Sequence, residues 1–174
     1  MLEVREGNLT SLAALFERHH RQLFNFFVHL NGSRESCDDL VQDVFFRMLK
    51  YKATFQPENS FAAWMYRIAR NTFADSRKKR RFDVVLDVVD DPVAHDSIEE
   101  RLSRRQEIEM LRRALAQLPA EKRELLVLSR FENLKYEEIA ALLDCEVGAV
   151  KVRVFRAVRA LAQIYTQLSR EKAS

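Results

Sequence analysis

Tyr66, Arg70, Phe73 and Arg77 follow one another at spacings of four, three and four. On an α-helix that spacing draws one edge along which rings and guanidinium groups alternate. Rings stack on unpaired bases and guanidinium groups hold phosphates, so the edge suits a single-stranded nucleic acid. Arg67 and Asn71 lie beside it, and the stretch ends in the run RKKRR. Between 61 and 81 there are seven cations and one acid, Asp75. A plainer role fits the same spacing: Tyr66 and Phe73 pack on a neighbouring helix and the cations face water.

A second set lies near the C-terminus: Gly148, Ala149, Lys151, Val152, Arg153 and Arg156. With Val150 as origin on a helical wheel, Val147, Val150, Val154, Val158 and Leu161 fall within an arc of about eighty degrees, which predicts the buried stripe. Gly148, Ala149, Val152, Arg156 and Arg159 occupy the other side, with Lys151 and Arg153 flanking. Small residues at a helix start permit close approach to another surface, and cations beyond them can hold phosphates. That is how a helix enters a DNA major groove. The preceding stretch, YEEIAALLDCEVG, reads as a short helix with Glu137 and Glu138 at its positive end. Ile139, Ala140 and Leu143 are expected to face inward, and Ala140 is small enough for a second helix to cross. Asp144 stands at the turn, where Asp tolerates a left-handed backbone. A basic amphipathic helix alone is usually a solvated face; this spaced combination reads as a helix-turn-helix.

A third set is Asp39, Gln42, Asp43 and Phe46. Leu40, Val41, Val44 and Met48 form the apolar stripe of that stretch, which places the third set outward with Lys50. An aromatic ring in a polar face suits a protein partner, or a neighbouring loop that covers it. No Gly-rich phosphate loop is present, and none of the four histidines pairs with a cysteine at metal-ligand spacing. The expectation is therefore a protein with no cofactor and no catalysis of its own.

These sets must be carried by helices. Three glycines and three prolines in 174 residues are too few for the turns of a β fold. With 47% hydrophobic and 32% charged residues the chain reads as soluble and globular. It has no run of about eighteen apolar residues, so no membrane insertion is expected. The opening MLEVREGNLT lacks the pattern of a secretory signal. Cys37 and Cys145, at apolar helical positions, read as reduced thiols, and a cytoplasmic location follows.

Helical periodicity predicts segments over about 9–30, 36–51, 60–81, 98–118 and 120–131, then the helix-turn-helix. The turn pair Asn31-Gly32, a cap at Asn59 or Ser60, Pro119 and Asn133 punctuate them. The pattern fails in FDVVLDVVDDPVAHDS. From 82 to 100 there are seven acids and no Lys or Arg, so with a net charge of +3 the remainder carries +10. The reading is all-α: two small helical bundles, 1–81 and 98–174, joined by a flexible acidic linker at 82–97. A basic body with an acidic strap suggests a polyanion partner.

The stretches CDDLVQDVFFRMLK, FAAWMYRIARNTFADSRKKRR and LPAEKRELLVLSRFENLKYEEIAALLDCEVGAVKVRVFRAVRAL together resemble an extracytoplasmic-function (ECF) sigma factor of bacterial RNA polymerase. The resemblance implies that Asp39, Gln42, Asp43 and Phe46 dock on a coiled coil of the RNA polymerase core. It implies that the 60–81 helix and the loop at 55–60 read and help unpair the minus-ten element of promoter DNA, with Tyr66, Arg67, Arg70, Asn71, Phe73 and Arg77 as contacts. The C-terminal helix would read the minus-thirty-five element through Gly148, Ala149, Lys151, Val152, Arg153 and Arg156. The linker would thread the polymerase channel, and an anti-sigma factor would be a further partner. Two positions depart from the family pattern: Asn133, where Gly is common, and Lys135, where Ser or Thr is common. Loss of a side-chain N-cap at Lys135 costs about 1 kcal/mol. The competing readings are a stand-alone helix-turn-helix regulator, which would dimerise on a palindrome, and an RNA-associated factor.

Overall fold

The computed structural model describes residues 1–79 and 98–173, and all its regular elements are helices. The predicted linker at 82–97 lies outside the described residues. In order they are α1 (Leu2–Arg5), α2 (Leu9–His29), α3 (Arg34–Lys50), a short 3-10 turn (Lys52–Thr54), α4 (Phe61–Lys79), α5 (Ile98–Gln117), α6 (Ala120–Leu126) running into a π turn (Val127–Phe131), α7 (Tyr136–Leu143) and α8 (Val147–Ala173).

Local chemistry sets the ends. Asn8 caps α2 by accepting from the Thr10 and Ser11 amides at 3.0 and 3.3 Å. The other end closes with Asn31 at φ 67° and with the Gly32 amide donating to the Phe27 carbonyl at 2.9 Å. A side chain at Gly32 would meet Cys37 Sγ at 2.8 Å, so the turn and α3 pack too closely for anything but glycine. Ser33 precedes α3, three residues before the predicted start at 36, and its hydroxyl bonds that of Ser36 at 2.8 Å. Ser60 is the cap of α4, accepting from the Ala63 amide at 3.3 Å. Helix α1 was not expected from any periodicity, being only four residues long, and it buries Val4.

Helices α2, α3 and α4 form the first bundle around Leu23, Phe26, Phe27, Val44, Met48, Met65 and Ala69. Helices α5 to α8 form the second around Leu115, Leu126, Leu128, Ile139, Val150 and Val154. Buried Arg123 donates to the carbonyls of Leu115, Ala116 and Leu118 at 2.6–2.8 Å and so closes the C-terminal end of α5. In the turn after α6, Asn133 (φ 53°) takes a left-handed backbone, as predicted, and so does Asp144 (φ 52°) after α7.

The two bundles are packed together. One continuous apolar core runs through both, with α4 against α7 and α2 against α5 and the π turn. Packing changes the inward assignments on α7 and α8. Leu143 is half-buried and packs against the core as expected, and Leu142 is buried as well, because α7 is covered by α4 as well as by α8. On α8, Ala157 is buried and Val158 is 40% exposed. The true stripe, Val150, Val154 and Ala157, is centred about thirty degrees from the predicted one, which carries Val158 off the core.

Candidate nucleic-acid and protein interfaces

The start of α8 is held by the turn behind it. The Cys145 amide donates to the Ala140 carbonyl at 3.0 Å, and Val150 and Val154 anchor the helix in the core. Gly148, Lys151, Val152, Arg153 and Arg156 are thereby exposed and Ala149 is half-buried. A Cβ at Gly148 would meet nothing within 4 Å, so the space in front of it is open to a partner. Phe155 was missed by the wheel. It is 62% exposed among these residues, and the Arg159 guanidinium lies 5.7 Å from its ring centre. At α7, Lys135 leaves half a capping box: the Glu138 carboxylate accepts from the Lys135 amide at 2.8 Å.

On α3, Leu40, Val41, Val44 and Met48 are buried, and Asp39, Gln42 and Phe46 are exposed. Phe46, at 66%, is the most exposed large apolar side chain among the described residues. No loop covers it. Asp43 is half-buried and pairs with Arg47 at 3.1 Å, and Arg47 also reaches Asp75 on α4 at 2.8 Å. The Asp75 bond holds the Arg47 guanidinium above its ordinary pKa. Arg47 thus fixes the α3 face against α4.

Helix α4 does not present the single outward edge that the spacing predicts. Tyr66 is fully buried, with its ring centre 5.0 Å from that of Phe26. Phe73 is half-buried and stacks on Phe27 at 5.9 Å. The reason is that α2 contributes two adjacent rings, and α4 covers both. Asn71 and Arg77 are exposed, Arg77 lying 6.0 Å from the Phe73 ring centre. The second bundle takes up the others. The Tyr66 hydroxyl donates to the Glu132 carboxylate, Arg67 Nη2 to the Ala141 carbonyl at 2.6 Å, and Arg70 Nε to Glu124 at 2.7 Å. Burial raises the pKa of the Tyr66 hydroxyl, and the Glu132 charge raises it further. Burial also raises that of the Glu132 carboxyl, opposed by hydrogen bonds from Tyr66 and Gln22. Beside this contact a cleft of about 320 Å³ is lined by Arg70, Asn71, Arg77, Glu121, Arg123 and Glu124.

The loop ahead of α4 is built on a cluster of rings. Phe55 is buried against Trp64 (5.4 Å) and Phe61 (6.1 Å), and Trp64 Nε1 donates to Thr54 Oγ1 at 3.2 Å. Two reciprocal bonds brace the loop on α1: Arg5 Nη1 to the Phe55 carbonyl at 3.0 Å and Lys52 Nζ to the Val4 carbonyl at 3.1 Å.

Among the described residues no group of three His, Cys, Asp or Glu side chains is placed to hold a metal ion. No helix there is long and apolar enough to cross a membrane. Cys37 is buried and Cys145 half-buried, and the two form no disulfide.

Residues 15–82 match the family model "Sigma-70 region 2" and residues 108–161 match "Sigma-70, region 4". The chain is 36% identical to the ECF RNA polymerase sigma factor EcfG of Rhodopseudomonas palustris over 133 residues, covering 76% of this chain and 72% of that protein. It is 32% identical to the ECF RNA polymerase sigma-E factor of Escherichia coli over 175 residues, covering 91% and 88%. Among solved structures, CnrH in complex with the cytosolic domain of CnrY superposes with a TM-score of 0.74 at 25% identity, covering 95% of this chain and 94% of that one. The Bartonella quintana sigma factor RpoE, solved with the anti-sigma factor NepR, has the same fold (TM-score 0.72, 24% identity, 90% and 97% covered).

Proposed function

The chain belongs to the extracytoplasmic-function sigma factors of bacterial RNA polymerase, and from that premise we propose how its surfaces divide the work of transcription initiation. RNA polymerase core supplies the chemistry, in the cytoplasm, and this chain selects the promoter. Core binds the α3 face, with Phe46 as the anchor and Asp39, Gln42 and Asp43 as its polar rim. The duplex of the minus-thirty-five element meets α8 through Gly148, Ala149, Lys151, Val152, Arg153 and Arg156. The opened minus-ten element meets α4 through Arg67, Arg70, Asn71 and Arg77, with the half-buried Phe73 beside them, and the loop at 55–60 lies next to it; Tyr66, buried against Phe26, holds the helix from behind. The domain bounds 1–81 and 98–174, and passage of 82–97 through a basic channel of the polymerase, belong to the same proposal.

What carries the reading is one chain that matches region 2 and region 4 in that order, with exposed cations on α8 and an exposed ring on α3. A stand-alone helix-turn-helix regulator would not account for the region 2 match at 15–82. An anti-sigma partner is part of the proposal, because the similar RpoE of Bartonella quintana was solved with one.

Run-off transcription on a library of promoter fragments tests the assignment. Addition of the purified chain to bacterial core polymerase is expected to yield discrete transcripts from a subset of fragments. Tight binding of an inverted repeat by the chain alone, with no transcripts when core is added, would sink it.

A further inference from the structure

We infer that α1 is a strut for the loop at 55–60, and that Arg5 and Lys52 are positioning residues for recognition of the minus-ten element. The inference rests on the reading of that loop as part of the minus-ten surface.

The loop has an exposed tip and a fixed root. Gln56, Pro57, Glu58 and Asn59 are exposed. Their turn is closed by the Asn59 amide, which donates to the Gln56 carbonyl at 3.0 Å, and by Asn59 Nδ2, which donates to Gln56 Oε1 at 2.9 Å. A side-chain amide carries both donor and acceptor, the groups with which the edge of a base is read. Such a tip discriminates only if its root is held to within about 0.5 Å. The Phe55 ring, buried against Trp64 and Phe61, holds the root by its side chain.

Helix α1 holds the same root by its main chain. Arg5 Nη1 donates to the Phe55 carbonyl at 3.0 Å, at the last residue before the exposed tip. Lys52 Nζ donates in return to the Val4 carbonyl at 3.1 Å. Both acceptors are main-chain oxygens, so each bond fixes backbone rather than a side chain. The strut is itself seated on α2. Val4 is fully buried, the Asn8 amide donates to the Glu3 carbonyl at 2.9 Å, and the Ser11 hydroxyl donates to the Glu3 carboxylate. Gly7, at φ 102°, takes the left-handed backbone that links α1 to α2. A continuous set of bonds thus runs from α2 through α1 to the loop, and Arg5 and Lys52 act on the promoter through the position of the tip.

The test uses holoenzyme made from the full chain and bacterial core polymerase, with a barcoded promoter library randomised in the minus-ten and minus-thirty-five elements. Counting run-off transcripts by barcode gives a preference ratio for each base. A wrong base at a read position lowers binding roughly tenfold. Arg5→Met/Lys52→Met keeps the apolar stems and removes both donors. Its minus-ten ratios are expected to fall from about tenfold to below about threefold, with minus-thirty-five ratios and core affinity unchanged. Hydrogen exchange at the Asn59 amide should be faster in the same variant. Arg5→Lys keeps a donor and should retain more of the minus-ten ratio than Arg5→Met, which also serves if the double variant does not fold. Lower transcription at unchanged ratios would mean that α1 only stabilises the fold, and overturns the inference. Gln56→Ala/Asn59→Ala tests the premise separately. Flattened minus-ten ratios in that variant, with ratios intact in Arg5→Met/Lys52→Met, leave the loop as a reader and sink the strut. Intact ratios in both remove the loop itself from the minus-ten surface.

Discussion

The hydroxyl of Tyr66 on α4 donates to the carboxylate of Glu132, 66 residues further along the chain, and both residues are buried. A buried carboxylate is tolerated only when donors satisfy it. Glu132 has Tyr66 from α4 and Gln22 from α2, so the turn ahead of the helix-turn-helix is tied to two helices of the other bundle. This bond makes the packing of the bundles sensitive to one proton.

Burial holds the Glu132 carboxyl above its ordinary value in the closed form, in which the two bundles are packed together. Opening returns it to water and to the ordinary value, so the closed form binds more protons. Its contribution to closure is fully present below the ordinary carboxylate range and is lost as pH rises through the raised value. Closure should therefore weaken as pH rises through that window. Scattering across a pH series is expected to show expansion, and Glu132→Gln, which keeps an acceptor but cannot ionise, should flatten that profile. A profile unchanged by Glu132→Gln would mean that this carboxyl does not set the dependence.

Arg123 is the second buried charge, and its partners are carbonyls rather than a carboxylate. Burial lowers its pKa, and the nearby Arg77 charge lowers it further. Arg123→Met keeps much of the apolar stem and leaves three carbonyls at the end of α5 without their donor. Hydrogen bonds from charged groups are worth about 1.5–3 kcal/mol each, net values are not additive, and a total loss of about 3 kcal/mol is expected. Urea unfolding should show the midpoint fall with little change in slope. A loss below about 0.5 kcal/mol, the level of an ordinary surface change, would mean that water replaces the guanidinium.

Much of this was legible in the sequence because it depends on local rules. Asn133 and Asp144 mark left-handed stops, Val150 and Val154 fix the phase of α8, and Phe46 breaks a polar face. These are properties of a few consecutive residues on one helix. The burial of Tyr66 was not legible, because spacing along α4 defines an edge but not what lies against it. The partner is Phe26 on one side and Glu132 on the other, and neither is near in sequence. Val158 was misplaced for a related reason: a wheel finds the apolar arc, whereas the packing of α5, α6 and α7 selects which part of it is covered. The brace between Arg5 and the Phe55 carbonyl gave no pattern at all, since its acceptor is backbone.

Phe46→Ala tests the α3 face. The side chain is 66% exposed and makes no contact that the fold needs, so thermal stability should change by less than about 0.5 kcal/mol. An aromatic anchor in a polar rim contributes about 2 kcal/mol to binding, which is about thirtyfold in affinity for core polymerase. Titration of labelled chain with core measures this directly. Unchanged core affinity with an intact fold would move the docking site elsewhere on the molecule.

Arg156→Ala tests α8 as the duplex reader. Arg156 is exposed on the same face as Gly148, Val152 and Arg153, one turn beyond Val152, where a phosphate contact is expected. Removing one phosphate contact weakens binding at every sequence and lowers the slope of log affinity against log salt by about one. The measurement is holoenzyme binding to an upstream promoter duplex between low and moderate salt, with core affinity as the control. If the slope holds and discrimination between promoter sequences falls instead, Arg156 reads a base edge, and the phosphate contacts of α8 pass to Lys151 and Arg153.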